Sequence, residues 1–344
     1  MALRTYQHVM RRLLNPILWL ILAGLLAALL PPFLHPLWAR LSILEHFAWQ
    51  LCWGSLLCCL LALSLRAWFP AACAATLVIW WGMVVAPFVL SPYRDHPAET
   101  ANGKQLRVLS LNLFDHSITS EATVRFLKGA GADVIGLVEV TPFWMTALLP
   151  VADDYPYRIG CTQPEKTCDV LLLSKRPLLQ SAWTAATPHL PSLAWGRIDA
   201  GGRQIVIVET HLAWPFSRSM RPQLATGDGD PIPPPSLAGV PRLKQGEQAA
   251  GLAEYLKPLG PDLVMMGDFN SAPWSRLQQA LRDTAGLRNA SGLTLTWPSW
   301  TNPLFRLPID HLFLRGAISA QSLMAGPAVD SDHLPIATTL TITP

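Results

Sequence analysis

Between Arg12 and Arg40 the chain carries no Lys, Arg, Asp or Glu, and residues 16–30 within that interval are almost wholly aliphatic. A second apolar stretch runs from about residue 47 to 65, and a third, residues 71–90, holds no charge at all. A helix needs about 20 such residues to cross a bilayer, because its backbone polar groups must be satisfied inside the segment. Trp19, Trp38, Trp49, Trp53, Trp68, Trp80 and Trp81 lie in or beside these stretches, where amphipathic rings suit a membrane interface. A signal sequence would account for Arg11-Arg12 and the first run, but not for the two that follow. The expectation is three transmembrane helices.

Charge divides the chain in the same place. Residues 1–93 hold five basic side chains and one acidic one, which leaves 21 basic and 22 acidic in residues 94–344, a net charge of −1. A soluble domain carries about 25% charged residues, and the 14% found here excludes an ordinary cytosolic enzyme. The hydrophobic share of 51% excludes a disordered tail. The expected organisation is a membrane anchor over 1–93, a linker over 94–104 and a globular domain over 105–344, long enough for one large core.

Arg4, Arg11 and Arg12 ahead of the first span argue for a cytoplasmic N-terminus. Three crossings then make a multi-pass inner-membrane protein with a periplasmic, extracytoplasmic domain, although Arg94 and Lys104 flank the third span on that side. Cys52, Cys58, Cys59 and Cys73 fall in the spans, where a thiol behaves as a small apolar group. Cys161 and Cys168 bracket the polar stretch CTQPEKTC. Their spacing suits a disulfide closing a hairpin loop in an oxidising compartment, or else two unrelated thiols on a loop. Zinc-type CxxC spacing is absent.

From Arg107 onward short apolar runs alternate with helical or irregular stretches. The runs 107–112, 133–140, 170–174, 204–212, 263–269, 309–314 and 337–342 are rich in Val, Ile and Leu and bounded by Gly, Pro, Asp or Asn. That is the pattern of buried strands. Helices are expected over 121–129, 243–255 and 275–284. Runs apolar on both faces imply sheets covered on both sides, hence a layered α/β sandwich. The stretch 213–240, with six prolines and several glycines, cannot be regular structure.

Polar residues gather at the ends of these runs. LSLN ends in Asn112, VIGLVE in Glu139 and IVIVETH in His211. LVMMGDFN ends in Asp268 and Asn270, two residues apart and so on one face of an extended chain. PID supplies Asp310, and SDH supplies Asp332 and His333 before the last strand. Each alone has a bland explanation, an Asx turn or a satisfied structural His. Together they would destabilise strand ends unless paired or metal-bound.

The order Asn112, Glu139, THL at 210–212, GDFN at 267–270, IDH at 309–311 and SDHLP at 331–335 resembles the endonuclease/exonuclease/phosphatase superfamily. APWS after GDFN and the apolar front end resemble its membrane-anchored bacterial branch. The resemblance covers residues 105–344 and implies a four-layered αββα sandwich with its active site at the rim of two packed sheets. It implies metal-dependent hydrolysis of a phosphodiester or phosphomonoester. Glu139, with Asn112 beside it, would offer hard oxygen ligands to Mg²⁺, or to Mn²⁺ in its place, and Asp332 would steer the metal or its waters. Asp268 would orient or deprotonate the attacking water, and Asn270 would donate to the transition state. Asp310 and His333 would pair, the acid fixing the imidazole tautomer, while His211 would contact the phosphate from the other side. His311, adjacent to Asp310, should face the opposite side of the sheet in a structural role. The sequence departs from the pattern at Val138, where many members have Gln, and at Phe114, where some nucleases have an acid.

The implied partners are a lipid bilayer and a phosphoester substrate: a lipid head group, a small phosphodiester or a nucleic acid. A duplex-binding surface is normally basic, and a domain at net −1 with no Lys/Arg run offers no extended stripe. Arg218, Arg221, Arg242 and Lys244 could form a local patch beside Trp214 and Phe216. The alternative function is a non-catalytic extracytoplasmic binding or sensing domain on the same fold. That reading expects loss of one or more site residues, and none is lost here.

Overall fold

The chain contains helices apolar all round, as a helix long enough to cross lipid must be, and helices apolar on one face, as those covering a sheet are. The computed structural model describes residues 2–29, 39–90, 103–160, 168–215, 244–290, 292–321 and 323–343. The chain divides into two units, Met1–Pro87 and Phe88–Pro344.

The first unit is helical: α1 (Ala2–Ala27), a 3₁₀ stretch Ala39–Phe47, α2 (Ala48–Ser64) and α3 (Trp68–Val89). Ile43–Ser64 and Trp68–Val89 are long and apolar enough to cross a membrane. Only 22% of each is buried within the protein, unlike the core helix of a soluble domain. Three such helices were expected. Of the first expected span, Leu14–Ala27 is a shorter apolar helix, and residues 30–38 lie outside the described residues. Among the described residues two helices therefore meet the criterion.

The second unit is a mixed α/β fold with two sheets. It opens with β1 (Lys104–Asn112), α4 (Glu121–Gly129), β2 (Val134–Val140), α5 (Pro142–Ala147) and α6 (Leu149–Ala152). Next come β3 (Tyr157–Ile159), β4 (Asp169–Ser174), β5 (Gln180–Thr184), β6 (Ser192–Asp199) and β7 (Gln204–His211). After residues 216–243, α7 (Lys244–Leu256), β8 (Leu263–Asp268), α8 (Arg276–Ala285) and β9 (Arg288–Asn289) follow. The chain ends in β10 (Asp310–Arg315), β11 (Ile318–Ala320), β12 (Met324–Ala325) and β13 (Ile336–Ile342).

One sheet has the order β11-β13-β1-β2-β4-β3, with β12 also on β13, and the other β5-β6-β7-β8-β10-β9. Alternation along each strand builds three cores. In β8, Val264 and Met266 meet Val108, Val138 and Val170 between the sheets, while Leu263 and Met265 meet Leu252 of α7 and Leu281 of α8. On the far side Leu109, Ile135 and Leu171 pack under Leu127, Trp144 and Val151 of α4, α5 and α6. The layers thus run helices, sheet, sheet, helices. Burying a Val, Leu, Ile or Met side chain is worth about 1.5–3 kcal/mol, and strands buried on both faces collect that gain twice.

β1 and β2 run parallel, as do β7 and β8, while β4 is antiparallel to β2 and β10 antiparallel to β8. The downstream ends of β1, β2, β7 and β8 therefore meet the upstream ends of β4 and β10 at one rim. Gly267 marks how tightly β7 and β8 approach there. Its φ is 140°, and a Cβ would stand 1.9 Å from the Thr210 carbonyl oxygen.

Sequence patterning missed β5 and β6. β6 breaks its apolar run with Gly196 and Arg197, and β5 is a half-exposed edge strand. The proline-rich stretch falls mainly in residues 216–243, so Phe216, Arg218, Arg221 and Arg242 lie outside the described residues. Cys161 does too, whereas Cys168 is buried and disulfide-bonded.

Candidate active site

Asn112, Asp268 and Asp310 end or begin strands on the faces that meet between the sheets. Inward positions in β1 are Leu106, Val108, Ser110 and Asn112, in β8 Val264, Met266 and Asp268, and in β10 Leu314, Leu312 and Asp310. Asp310 and Asp268 are register partners. Strand alternation alone would send Glu139 outward, as its neighbour Val140 goes. Instead Glu139 adopts φ 59° at a bulge between Val138 and Val140, which turns its carboxylate into the cleft. Phe114, Asp169 and Asn270 also have positive φ. Such backbone is tolerated only where the surroundings over-determine it, and here four cases lie beside one cleft.

The cleft has a volume of about 580 Å³, and its walls include Asp115, Glu139, Asp169, His211, Asp268, Asn270, Asp332 and His333. Asn112 Nδ2 donates to Glu139 Oε1 at 2.9 Å and to Asp268 Oδ2 at 3.0 Å. Its carboxamide oxygen accepts from the Phe114 N–H at 2.9 Å. Asn112, expected as an oxygen ligand, thus faces the cleft as a donor, because two carboxylates drawn together need one between them. The other Glu139 oxygen accepts from the Asp115 N–H at 2.8 Å.

His333 Nδ1 lies 2.8 Å from Asp310 Oδ2, and its Nε2 lies 3.7 Å from Asp268 Oδ2. Burial opposes charge on this imidazole. The Asp310 carboxylate, then Asp268 and the Asp310 hydrogen bond, outweigh it and push His333 up to about 10. Asp268 is itself raised by burial and by Asp310, against the pull of His333 and His211. His211 is built alike: Nδ1 sits 2.7 Å from Asp169 Oδ1, and Nε2 points toward Glu139 Oε1 at 3.9 Å and Asp268 Oδ2 at 4.0 Å. Here too burial opposes the cation, and Asp169 prevails, pushing His211 up to about 10.

Asn270 is not on an extended strand with Asp268, as its spacing had led us to expect. β8 ends at Asp268, and the left-handed backbone of Asn270 folds its N–H back onto Asp268 Oδ1 at 2.8 Å. Its Nδ2 donates to the Leu212 carbonyl at 2.9 Å and stands 3.4 Å from His211 Nε2. Asp332 accepts from Trp297 Nε1 at 2.9 Å through one oxygen, while the other, 4.0 Å from His333 Nε2, is buried without a hydrogen-bond partner. His311 points away from the cleft. Its Nε2 donates to the Ser271 carbonyl at 2.8 Å, and burial pushes it down to about 4, so it is neutral and structural.

The predicted polar residues therefore converge, with His311 apart from them as expected. Sequence reasoning missed Asp169, the orienting acid of His211, along with Trp297 and the buried Glu209. The signal for Asp169 was present: an acid at the upstream end of an apolar run reaches the rim when that strand runs antiparallel.

Glu139, His211 and Asp268 place ligand atoms within 4.8 Å of one another, and so do Asp268, Asp310 and His333. Carboxylates outnumber imidazoles here, and Asp332 has an oxygen with no partner. A hard cation that prefers oxygen ligands fits that donor set.

The profile of the Endonuclease/Exonuclease/phosphatase family matches residues 109–333. No curated protein sequence matches significantly. Among solved structures, an endonuclease/exonuclease/phosphatase family protein from Bacteroides thetaiotaomicron is similar at 14% identity and a TM-score of 0.53, over 71% of this chain and 100% of that one. The protein of the same description from Bacteroides vulgatus gives 16% and 0.53, over 70% and 100%. The mannosyl-6-phosphatase Bt3783 of Bacteroides thetaiotaomicron gives 14% and 0.50, over 68% and 99%. Likeness at these identities concerns the fold.

Proposed function

Because the chain belongs to the endonuclease/exonuclease/phosphatase family, we propose that its cleft hydrolyses a phosphoester bond with a divalent cation bound. The observation that carries this is the meeting of Glu139, Asp268 and the Asp310–His333 pair, from three strands and one loop, within a few ångströms. Phosphoryl transfer asks a protein mainly for positioning and charge neutralisation, and this cleft supplies both.

Glu139 and Asp268 would hold the cation, Mg²⁺ or Mn²⁺, with Asn112 aligning the two carboxylates and Asp332 receiving hydrogen bonds from bound water. Bound there, such an ion neutralises phosphate charge and polarises a phosphate oxygen. Asp310 holds His333 in one orientation, with Nε2 toward Asp268. His333 and His211, both cationic at neutral pH, present N–H donors to the anionic substrate. Asp268, 3.7 Å from His333 Nε2, would orient the attacking water beside the cation. Asn270 donates to an equatorial oxygen from the cleft floor.

The helices Ile43–Ser64 and Trp68–Val89 support a bilayer anchor. An oxidised Cys168 supports an extracytoplasmic domain. The test is a panel of phosphomonoesters, phosphodiesters, phospholipids and nucleic acids, assayed with Mg²⁺ and with EDTA. Hydrolysis of at least one class should vanish with chelator and in Glu139→Ala and His333→Ala. A folded protein silent on every ester, or activity retained in both variants, refutes the proposal.

A further inference from the structure

Two loops at the rim of the cleft expose large apolar side chains. Ile118 is 89% exposed, Trp300 71%, Phe305 68% and Leu304 42%. Exposed leucines are common, but Trp and Phe standing this far into solvent together mark an interaction surface. Neither loop is loose. Residues 298–306 leave and rejoin the fold where the Trp297 and Leu307 backbones pair. Ser299 ties that loop to the site, its N–H to the Asp332 carbonyl and its hydroxyl to the Ser331 carbonyl, both at 2.7 Å. Arg306 braces it from within, donating to the carbonyls of Ser299 and Thr301. In the other loop, Ser117 and Thr119 hydroxyls bond the carbonyl and carboxylate of Asp330 at 2.9 and 3.0 Å. Both apolar tips are therefore fixed to residues 330–332, next to His333. Residues 298–306 contain no acid, and in the other loop, 113–120, the one acid, Asp115, belongs to the cleft wall.

We propose that these two loops seat on a lipid bilayer and that the cleft acts on a phosphoester of a membrane lipid. The inference rests on the hydrolytic reading of the site and on the apolar helices being a bilayer anchor. In sequence only residues 90–103 lie between α3 and β1. A domain joined in one chain to a bilayer anchor has a high effective concentration at that surface. Loop tips of Trp, Phe, Leu and Ile match the chemistry of the headgroup–acyl boundary. Next to them Trp214 packs on Trp297, ring centroids 5.7 Å apart, and gives the cleft an apolar wall. A nucleic acid would ask for a basic stripe that the domain, at net −1, does not advertise.

The test reconstitutes the full chain in nanodiscs of phosphatidylethanolamine and phosphatidylglycerol with Mn²⁺. Hydrolysis of the disc lipids is compared with that of soluble bis(p-nitrophenyl) phosphate. The double variant Trp300→Ser with Phe305→Ser should lose about tenfold or more on bilayer lipid and stay within about twofold on the soluble ester. A wild type that cleaves the soluble ester but no bilayer phospholipid overturns the inference while leaving the hydrolase intact. Equal lipid hydrolysis by wild type and variant does the same. A wild type that cleaves neither overturns the hydrolase reading itself. A second measurement needs no turnover: the emission lost in Trp300→Phe should be quenched by acyl-brominated phospholipid. Emission that bromination leaves untouched, or a dimer that dissolves in the double variant, assigns the patch elsewhere and overturns the inference.

Discussion

Asp169 receives the Nδ1 proton of His211 across 2.7 Å although 42 positions separate them in sequence. The contact fixes the imidazole so that its other nitrogen faces Glu139 and Asp268. It also keeps His211 charged, since burial alone would strip the proton and the Asp169 carboxylate retains it.

Asp169→Asn should therefore lower the His211 pKa from about 10, by removing its strongest charge partner. Imidazole resonances followed by NMR against pH would report the change directly. Turnover at neutral pH should fall about 10²-fold, the usual loss for one donor aimed at developing charge. An unmoved His211 titration would show that Asp169 is not its orienter.

The Asp310–His333 pair makes a sharper prediction because the acid can be neutralised without changing its shape. Asp310→Asn removes the carboxylate that holds the His333 proton and its Nδ1–H, so the imidazole loses its main charge partner and its fixed orientation. Turnover should fall about 10²–10⁴-fold, with substrate affinity changed much less. Steady-state kinetics on a soluble phosphoester decides this, and a loss confined to KM would place the pair outside the chemistry.

Metal binding can be read without catalysis. A ligand that binds only the folded state at 100 times its Kd stabilises it by about 2.7 kcal/mol. Mn²⁺ should raise the unfolding midpoint of the wild-type domain, and Glu139→Gln or Asp268→Asn should abolish most of that rise. Calorimetric titration should show at least about tenfold weaker binding in either variant. An identical metal-induced shift in both would move the cation elsewhere.

How much of this was legible in the letters follows from strand direction. The apolar runs around Val108, Ile135, Ile207 and Met265 are buried on both faces, and their signal was strong enough to place the central strands. Polar residues closing parallel strands, such as Asn112 and His211, stood out because each interrupts such a run. Asp310 and Asp169 open antiparallel strands instead. Asp310 was found through its neighbours, while Asp169 was lost behind the cysteine that precedes it. No sequence periodicity announces the bulge that turns Glu139 inward, because it depends on β2 carrying one extra residue against β4. Glu209 shares its face with Ile205 and Ile207 on a regular strand, and was passed over only because it stands two positions before the more conspicuous His211.

Glu209 supplies the last prediction. Its side chain is fully buried between the sheets, with one oxygen accepting from the Ser110 hydroxyl at 2.6 Å and the other without a hydrogen-bond partner. Gly136 lies opposite, and a Cβ there would stand 1.8 Å from that second oxygen. Burial, reinforced by Asp310 and Asp268, lifts the carboxyl well above its ordinary range. The folded state therefore holds a proton that the unfolded chain releases near pH 4.5. Stability from this group is complete below that pH and is lost as pH rises toward the folded value, by at most about 1.4 kcal/mol per pH unit. Glu209→Gln cannot ionise and keeps the acceptor for Ser110, so its advantage over wild type should grow steadily from pH 5 to pH 8, where about a unit of pH is the spacing to sample. Gly136→Ala should destabilise at every pH by forcing the carboxyl from its place, typically about 1–3 kcal/mol for an overpacked core. Unfolding midpoints of the domain across pH decide both, and parallel wild-type and Glu209→Gln profiles would mean that the buried acid is ionised after all.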